Sequence, residues 1–240
     1  MTATQFIETF RLAFGDMAPL PIAFGYSTQP AAPVMPVARC MIGSISNVRH
    51  GDPLTLTAHV VKCGGGGLYT GFKPMSEHIP NFVSQVEHYK RTPQQVVDYV
   101  EALDIVPAPA PYLNFIRMDQ LTSFDGIDGI LFWGTPDIIS GLCAWAYYDN
   151  NDPHAVSAQF GSGCSSIVSF AVKENRDKGR SCFLGMLDPS ARPLIPKNEM
   201  SFVIPINRFM EMMETMKDSA LFQHAFSIIR KRINGEIQKD

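Results

Sequence analysis

Apolar residues first recur at helical spacing at Ile7, Phe10 and Phe14, which predicts an amphipathic helix stopped by Pro19-Leu20-Pro21. Pro21, Pro30, Pro33 and Pro36 are too many for a regular helix in the next stretch, and Ile22-Ala23-Phe24 reads as a short strand. A helix over Arg39–Val48 ends at Gly51-Asp52-Pro53. The alternating Leu54-Thr55-Leu56-Thr57 that follows reads as a strand. Thr92-Pro93-Gln94-Gln95 is a helix start, with Thr92 as N-cap and Pro93 in the first turn, and that helix runs to about Leu103. Ala108–Pro111 is a turn-rich connector.

The second half alternates between the two periods. Strands are expected at Asn114–Met118, Gly129–Trp133, Ala155–Phe160, Cys182–Leu187 and Met200–Pro205. Helices are expected at Pro136–Tyr148, Ser165–Glu174 and Arg208–Met216, with Asp218 capping a last helix that carries Leu221, Phe222, Ala225, Ile228 and Ile229 on one face. Together these elements describe an α+β (mixed α/β) fold, a single compact domain over residues 1–240 with a mixed sheet flanked by helices.

Composition narrows the partners. The chain of 240 residues carries 20 Lys+Arg against 23 Asp+Glu, a net charge of −3, so nothing draws it to nucleic acid or an anionic membrane. Glu8 interrupts the apolar start that a secretory signal would need. The longest apolar run, Leu142–Tyr148, is far short of the roughly 20 residues that span a bilayer. A cytoplasmic location is expected, where the five cysteines would stay reduced and serve as core residues, ligands or nucleophiles.

Familiar site motifs are missing: no phosphate-binding glycine loop with its Lys, no Cys-x-x-Cys, no His-x-x-x-His and no Gly-x-Ser-x-Gly. The chemistry must therefore be sought at the cysteines. Cys143, inside the apolar helix Pro136–Tyr148, reads as core. Cys40 is balanced between core and ligand. Cys63 is followed by Gly64, Gly65, Gly66 and Gly67, a run that lets backbone turn sharply or approach a bound group. Cys164, in Gly161-Ser162-Gly163-Cys164-Ser165-Ser166, sits at an expected helix mouth, where a thiolate is stabilised. Cys182 starts a strand beside Arg180, a cation that would favour a thiolate or an anionic ligand. Met210, Met212, Met213 and Met216 read as core filler, and Arg192 as a weak anion contact.

Cys63-Gly64-Gly65-Gly66-Gly67-Leu68-Tyr69-Thr70-Gly71-Phe72 resembles a motif of the uncharacterised ArCR family, domain of unknown function 169. The resemblance continues through Phe132–Pro136, Gly163–Ser166, Gly179–Cys182 and Asn198–Pro205, in order, over about residues 36–216. It implies one cysteine before a glycine-rich turn and one at a helix mouth, matched here by Cys63 and Cys164. The four consecutive glycines depart from the shorter, more mixed glycine motif expected. The family has no settled activity, so no catalytic residue carries over.

Three functions are then expected in turn. The first is a cysteine-lined pocket that holds an iron–sulfur cluster or other metal centre and is redox-active, with Cys63, Cys164 and Cys182 as ligands and Cys40 as the fourth. In that reading Gly64–Gly67, Gly163, Ser165 and Arg180 contact the cofactor. The second is a metal-free enzyme with Cys164 as nucleophile. The third is a non-catalytic domain that binds a small-molecule ligand and keeps its cysteines in the core.

Overall fold

A computed structural model describes residues 1–37 and 40–237. Thr2 caps the first helix, α1 (Ala3–Phe14), in a capping box with Gln5. There follow β1 (Ile22–Ser27), α2 (Met41–Asn47), β2 (Leu54–Leu56), α3 (Gly64–Tyr69) and α4 (His78–Asn81). A π-helical turn at Phe82–Val86 leads to α5 (Pro93–Leu103), β3 (Tyr112–Arg117), β4 (Gly129–Gly134), α6 (Pro136–Tyr148) and β5 (Val156–Ser157). A second π-helical turn, Ser165–Ser169, runs into α7 (Phe170–Arg176), and β6 (Cys182–Gly185), β7 (Met200–Pro205), α8 (Ile206–Thr215) and α9 (His224–Ile233) complete the chain.

The seven strands form one sheet in the order β2-β3-β1-β4-β7-β6-β5. Every pairing is antiparallel except β5 with β6. This is the expected α+β fold with a mixed sheet. The central strands are apolar on both faces, and alternate residues supply two cores. Ala23, Ile130, Phe132, Cys182, Phe202 and Ile204 face one way, toward α1, α6, α8 and α9. Ile22, Phe24, Leu131, Trp133, Phe183 and Val203 face the other way, toward α2, the second π-helical turn and α7.

Aromatic rings knit the first core: Phe6 meets Phe209 edge-on at 4.9 Å, and Phe10 packs on Phe14 at 4.9 Å. Each such pair adds about 0.5–1.5 kcal/mol beyond the area it buries. Met212, Met213 and Met216 are buried there as core filler, while Met210 is exposed. A third, smaller core of Leu68, Ile79, Val96 and Val100 joins α3, α4 and α5 to one another. It gives that segment a packing of its own beside the second core.

Several boundaries differ from expectation. The expected strand at Ala155–Phe160 is only Val156–Ser157. Ser219, not Asp218, caps the chain after α8, and it opens a 3₁₀ turn at Ala220–Phe222 before α9. The helix expected at Arg39–Val48 is Met41–Asn47 followed by a 3₁₀ turn, and Arg39 lies outside the described residues. Among the described residues, no helix is long and apolar enough to cross a membrane.

Candidate functional site

A cleft of about 430 Å³ lies between the segment that carries α3, α4 and α5 and the body of the fold. The body contributes Cys40, Ile42, Gly161, Ser162, Gly163, Cys164, Asp188 and Ser190. The facing wall contributes Cys63, Gly64, Gly65, Gly66, Tyr69, Ile79, Phe82, Glu87, Tyr89 and Tyr99. Three of the four expected ligand cysteines therefore open on one space, although they come from distant parts of the chain. The volume suits a small organic molecule, and the lining mixes apolar and aromatic surface with a few polar groups.

The sheet keeps the fourth away. Successive strand residues face opposite sides, so Phe183 joins the core beneath the cleft while Cys182 points into the core with α8. Cys182 is fully buried there, its sulfur 3.9 Å from Met212 Sδ, and burial pushes its thiol well up. Arg180 is also remote from the cleft, and its guanidinium is taken by Glu211 at 2.8 Å and Asp149 at 3.6 Å. Arg192 spends its donors on the carbonyls of Lys197 and Glu199. Cys143 is half-buried at the edge of the first core. All five cysteines are free thiols.

The glycine run is a helix instead of a turn. Cys63 is the N-cap of α3, and its sulfur accepts the Gly66 N–H at 3.5 Å. A Cβ on Gly66 would stand 2.9 Å from Val61 Cγ1 and 3.3 Å from Met41 Sδ, so a larger residue there would push α3 against both side chains. A Cβ on Gly64 would meet only Ile79, at 3.5 Å. Gly163 is likewise a close-approach position, with Met186 Sδ, Ala191 and Ile42 all within 3.2 Å of where its Cβ would be.

Cys164 stands inside the first helical turn, past its mouth. Ser162 provides the cap: its hydroxyl accepts the Ser165 N–H at 3.2 Å, and Ser165 Oγ donates back to the Ser162 carbonyl at 2.8 Å. Ser165 thus serves the local backbone and is completely buried. Cys164 is buried as well, and a thiol–thiol hydrogen bond to Cys40, burial and the nearby charges of Cys40, Cys63 and Asp188 hold its proton on. The expected Cys164 thiolate is therefore replaced by a neutral donor.

Cys40 receives that donation. It precedes α2 in extended conformation and is only partly buried. The Cys164 hydrogen bond lowers its thiol to about 7, helped by the Ile42 N–H and opposed by burial and Asp188. The more acidic thiol of the pair is thus the more accessible one.

Polar groups around the thiols come from segments that carried no motif. Asp188 is buried and accepts hydrogen bonds from Ser190 Oγ at 2.7 Å, the Ser190 N–H at 2.9 Å and the Gly163 N–H at 3.4 Å. Tyr89 Oη accepts the Ser190 N–H at 3.1 Å. Tyr99 donates its hydroxyl to the Phe160 carbonyl, and Lys90 Nζ lies 4.3 Å above the Tyr99 ring. Burial, with the Asp188 charge behind it, raises the Glu87 carboxyl. The Asp188-Pro189-Ser190 turn chemistry is visible in the sequence, whereas its proximity to Cys40 is a product of the fold. Among the described residues, no three His, Cys, Asp or Glu side chains are grouped closely enough to hold a metal ion.

The fold and cleft define a class: an α+β protein with a partly apolar cleft and cysteines in its wall. The family model described as DUF169, uncharacterised ArCR, matches residues 15–215, and the chain belongs to that family. No curated protein and no solved structure matches the chain.

Proposed function

We propose that the chain takes an apolar, ring-bearing small molecule into this cleft and that Cys40 is the group that reacts with it. The observation that carries the reading is the pairing of a cleft-facing Cys40 near pKa 7 with a buried, protonated Cys164. A cysteine kept only for packing is buried and inert, whereas a lowered and accessible thiol has the properties of a nucleophile. Phe82, Tyr69 and Tyr99 supply flat apolar surface for the bound molecule, and Asp188, Ser190 and Glu87 supply polar groups to orient it.

The test compares two haloacetamides with the same leaving group. N-benzylchloroacetamide should modify Cys40 with saturating kinetics and about tenfold faster than chloroacetamide, because a bound ring converts the reaction into an intramolecular one. Equal, non-saturating rates would show that the cleft does not bind the ring, and modification at a cysteine other than Cys40 would remove its role.

A second reading keeps Cys40, Cys63 and Cys164 as ligands of an iron–sulfur cluster or other metal. Their convergence on one cleft favours it, and it requires the three thiols to draw closer together than they stand here. Protein purified without oxygen and assayed for iron, sulfide and visible absorbance separates the two readings.

A further inference from the structure

Cys40 could act as a lone nucleophile without a second thiol behind it, so the position of Cys164 calls for a reason. The two thiols both belong to the wall of the same cleft, each bears on the other's proton, and they differ in access: Cys40 is partly exposed and Cys164 buried. Attack by a second thiol needs its sulfur near the first one, on the side away from the incoming substrate. Their supports are separate, with Cys40 ahead of α2 and Cys164 in the turn that leads to α7.

We infer that Cys40 and Cys164 form a dithiol that reduces a small-molecule disulfide, Cys40 attacking and Cys164 resolving. This rests on the proposal that Cys40 is the reactive group of the cleft. In the first step the Cys40 thiolate attacks one sulfur of R–S–S–R′. The bond between Cys40 Sγ and that sulfur forms, the R–S–S–R′ bond breaks, and R′S⁻ leaves. Cys164 then gives its proton to the departing thiolate and attacks Cys40 Sγ. The Cys40–Cys164 bond forms as the mixed disulfide breaks, and RS⁻ leaves and takes a proton from water. The substrate gains two electrons and the protein loses two. A low-molecular-weight thiol restores the pair by the reverse exchange.

Cys63 is the competing partner. Its sulfur caps α3 by accepting the Gly66 N–H, and its charge is felt at Cys164. A bond from Cys40 to Cys63 would leave Cys164 with no part in the exchange.

The test incubates the full chain with glutathione disulfide at pH 7 and maps its peptides without reduction. Wild-type protein should yield a Cys40–Cys164 disulfide and little glutathione adduct. Cys164→Ser should accumulate at least about tenfold more mixed disulfide, located on Cys40, because the resolving step is lost. The wild-type map stands even if the variant does not fold. Five unpaired thiols in the treated wild type, a Cys40–Cys63 bond, or a glutathione adduct that persists on wild-type Cys40 would each overturn the dithiol. Saturable alkylation of Cys40 together with any of those outcomes would leave the proposed cleft function standing and remove the dithiol alone. Failure of both tests would remove both.

Discussion

Replacing Cys164 with Ala removes the hydrogen bond that most lowers the Cys40 thiol, and the consequence is opposite at low and high pH. With its thiol at about 7, about half of Cys40 is thiolate at pH 7. Without the donor, an ordinary thiol of pKa ~8.5 is only about 3% thiolate there, a loss of about 16-fold in the reactive form. Nucleophilicity rises with pKa, by ~4–6-fold for this change, so the rate should fall by about 3–4-fold at pH 7. Near pH 10 both forms are ionised, and the variant should react ~4–6-fold faster than wild type. The two profiles therefore cross at about pH 8. Cys40 remains partly desolvated and beside Asp188, which moves the crossing further up, never down. The assay is iodoacetamide labelling of Cys40 from pH 5 to 10, followed by peptide mass spectrometry, with urea melts to check that the variant is folded. Parallel profiles at every pH would refute the Cys164 donation.

Two other consequences concern the scaffold. Gly64→Ala places a methyl group in ordinary contact with Ile79 and removes a poor helix former, so it should raise stability by about 0.5 kcal/mol. Gly66→Ala pushes on Val61 and Met41 and should cost about 1–3 kcal/mol. Urea midpoints that move the same way for both would contradict the packing of α3. Asp149→Ala leaves the fully buried Arg208 with Glu211 as its remaining ion-pair partner and should cost about 3 kcal/mol in urea denaturation. Arg208 holds the Asp149 carboxyl below the usual carboxylate range. Its stabilisation is present above the unfolded pKa of about 4 and is lost as pH falls through the folded value. The variant should therefore lose less stability than wild type on acidification, and an unchanged acid dependence would show that the pair contributes nothing.

The sequence and the structure agree where one local signal decides. Thr92 caps α5 as its spacing with Pro93 and Gln95 requires, and β7 and α6 begin and end at the expected residues. Disagreement arises where tertiary contact overrides propensity. Glycine is a poor helix former, yet Gly64–Gly67 are helical because Cys63 caps them and Gly66 must pack close to Val61. The Ser165–Ser169 π-helical turn changes the helical phase just past Cys164, which periodicity does not register. For Cys182, alternation shows that it opposes Phe183, but β6 is apolar on both sides and does not reveal which side holds a site. The motifs at Cys63 and Cys164 are legible in the sequence; the proposed role of Cys40 is not, since it depends on a thiol far along the chain and on the Ile42 N–H.

The most direct measurement is the order in which the five thiols react. Under native conditions at pH 7, iodoacetamide labelling resolved by peptide mass spectrometry should modify Cys40 first and leave Cys182, sealed beneath α8, until last. Cys40 reacting no faster than Cys143 or Cys182 would contradict the account at its centre.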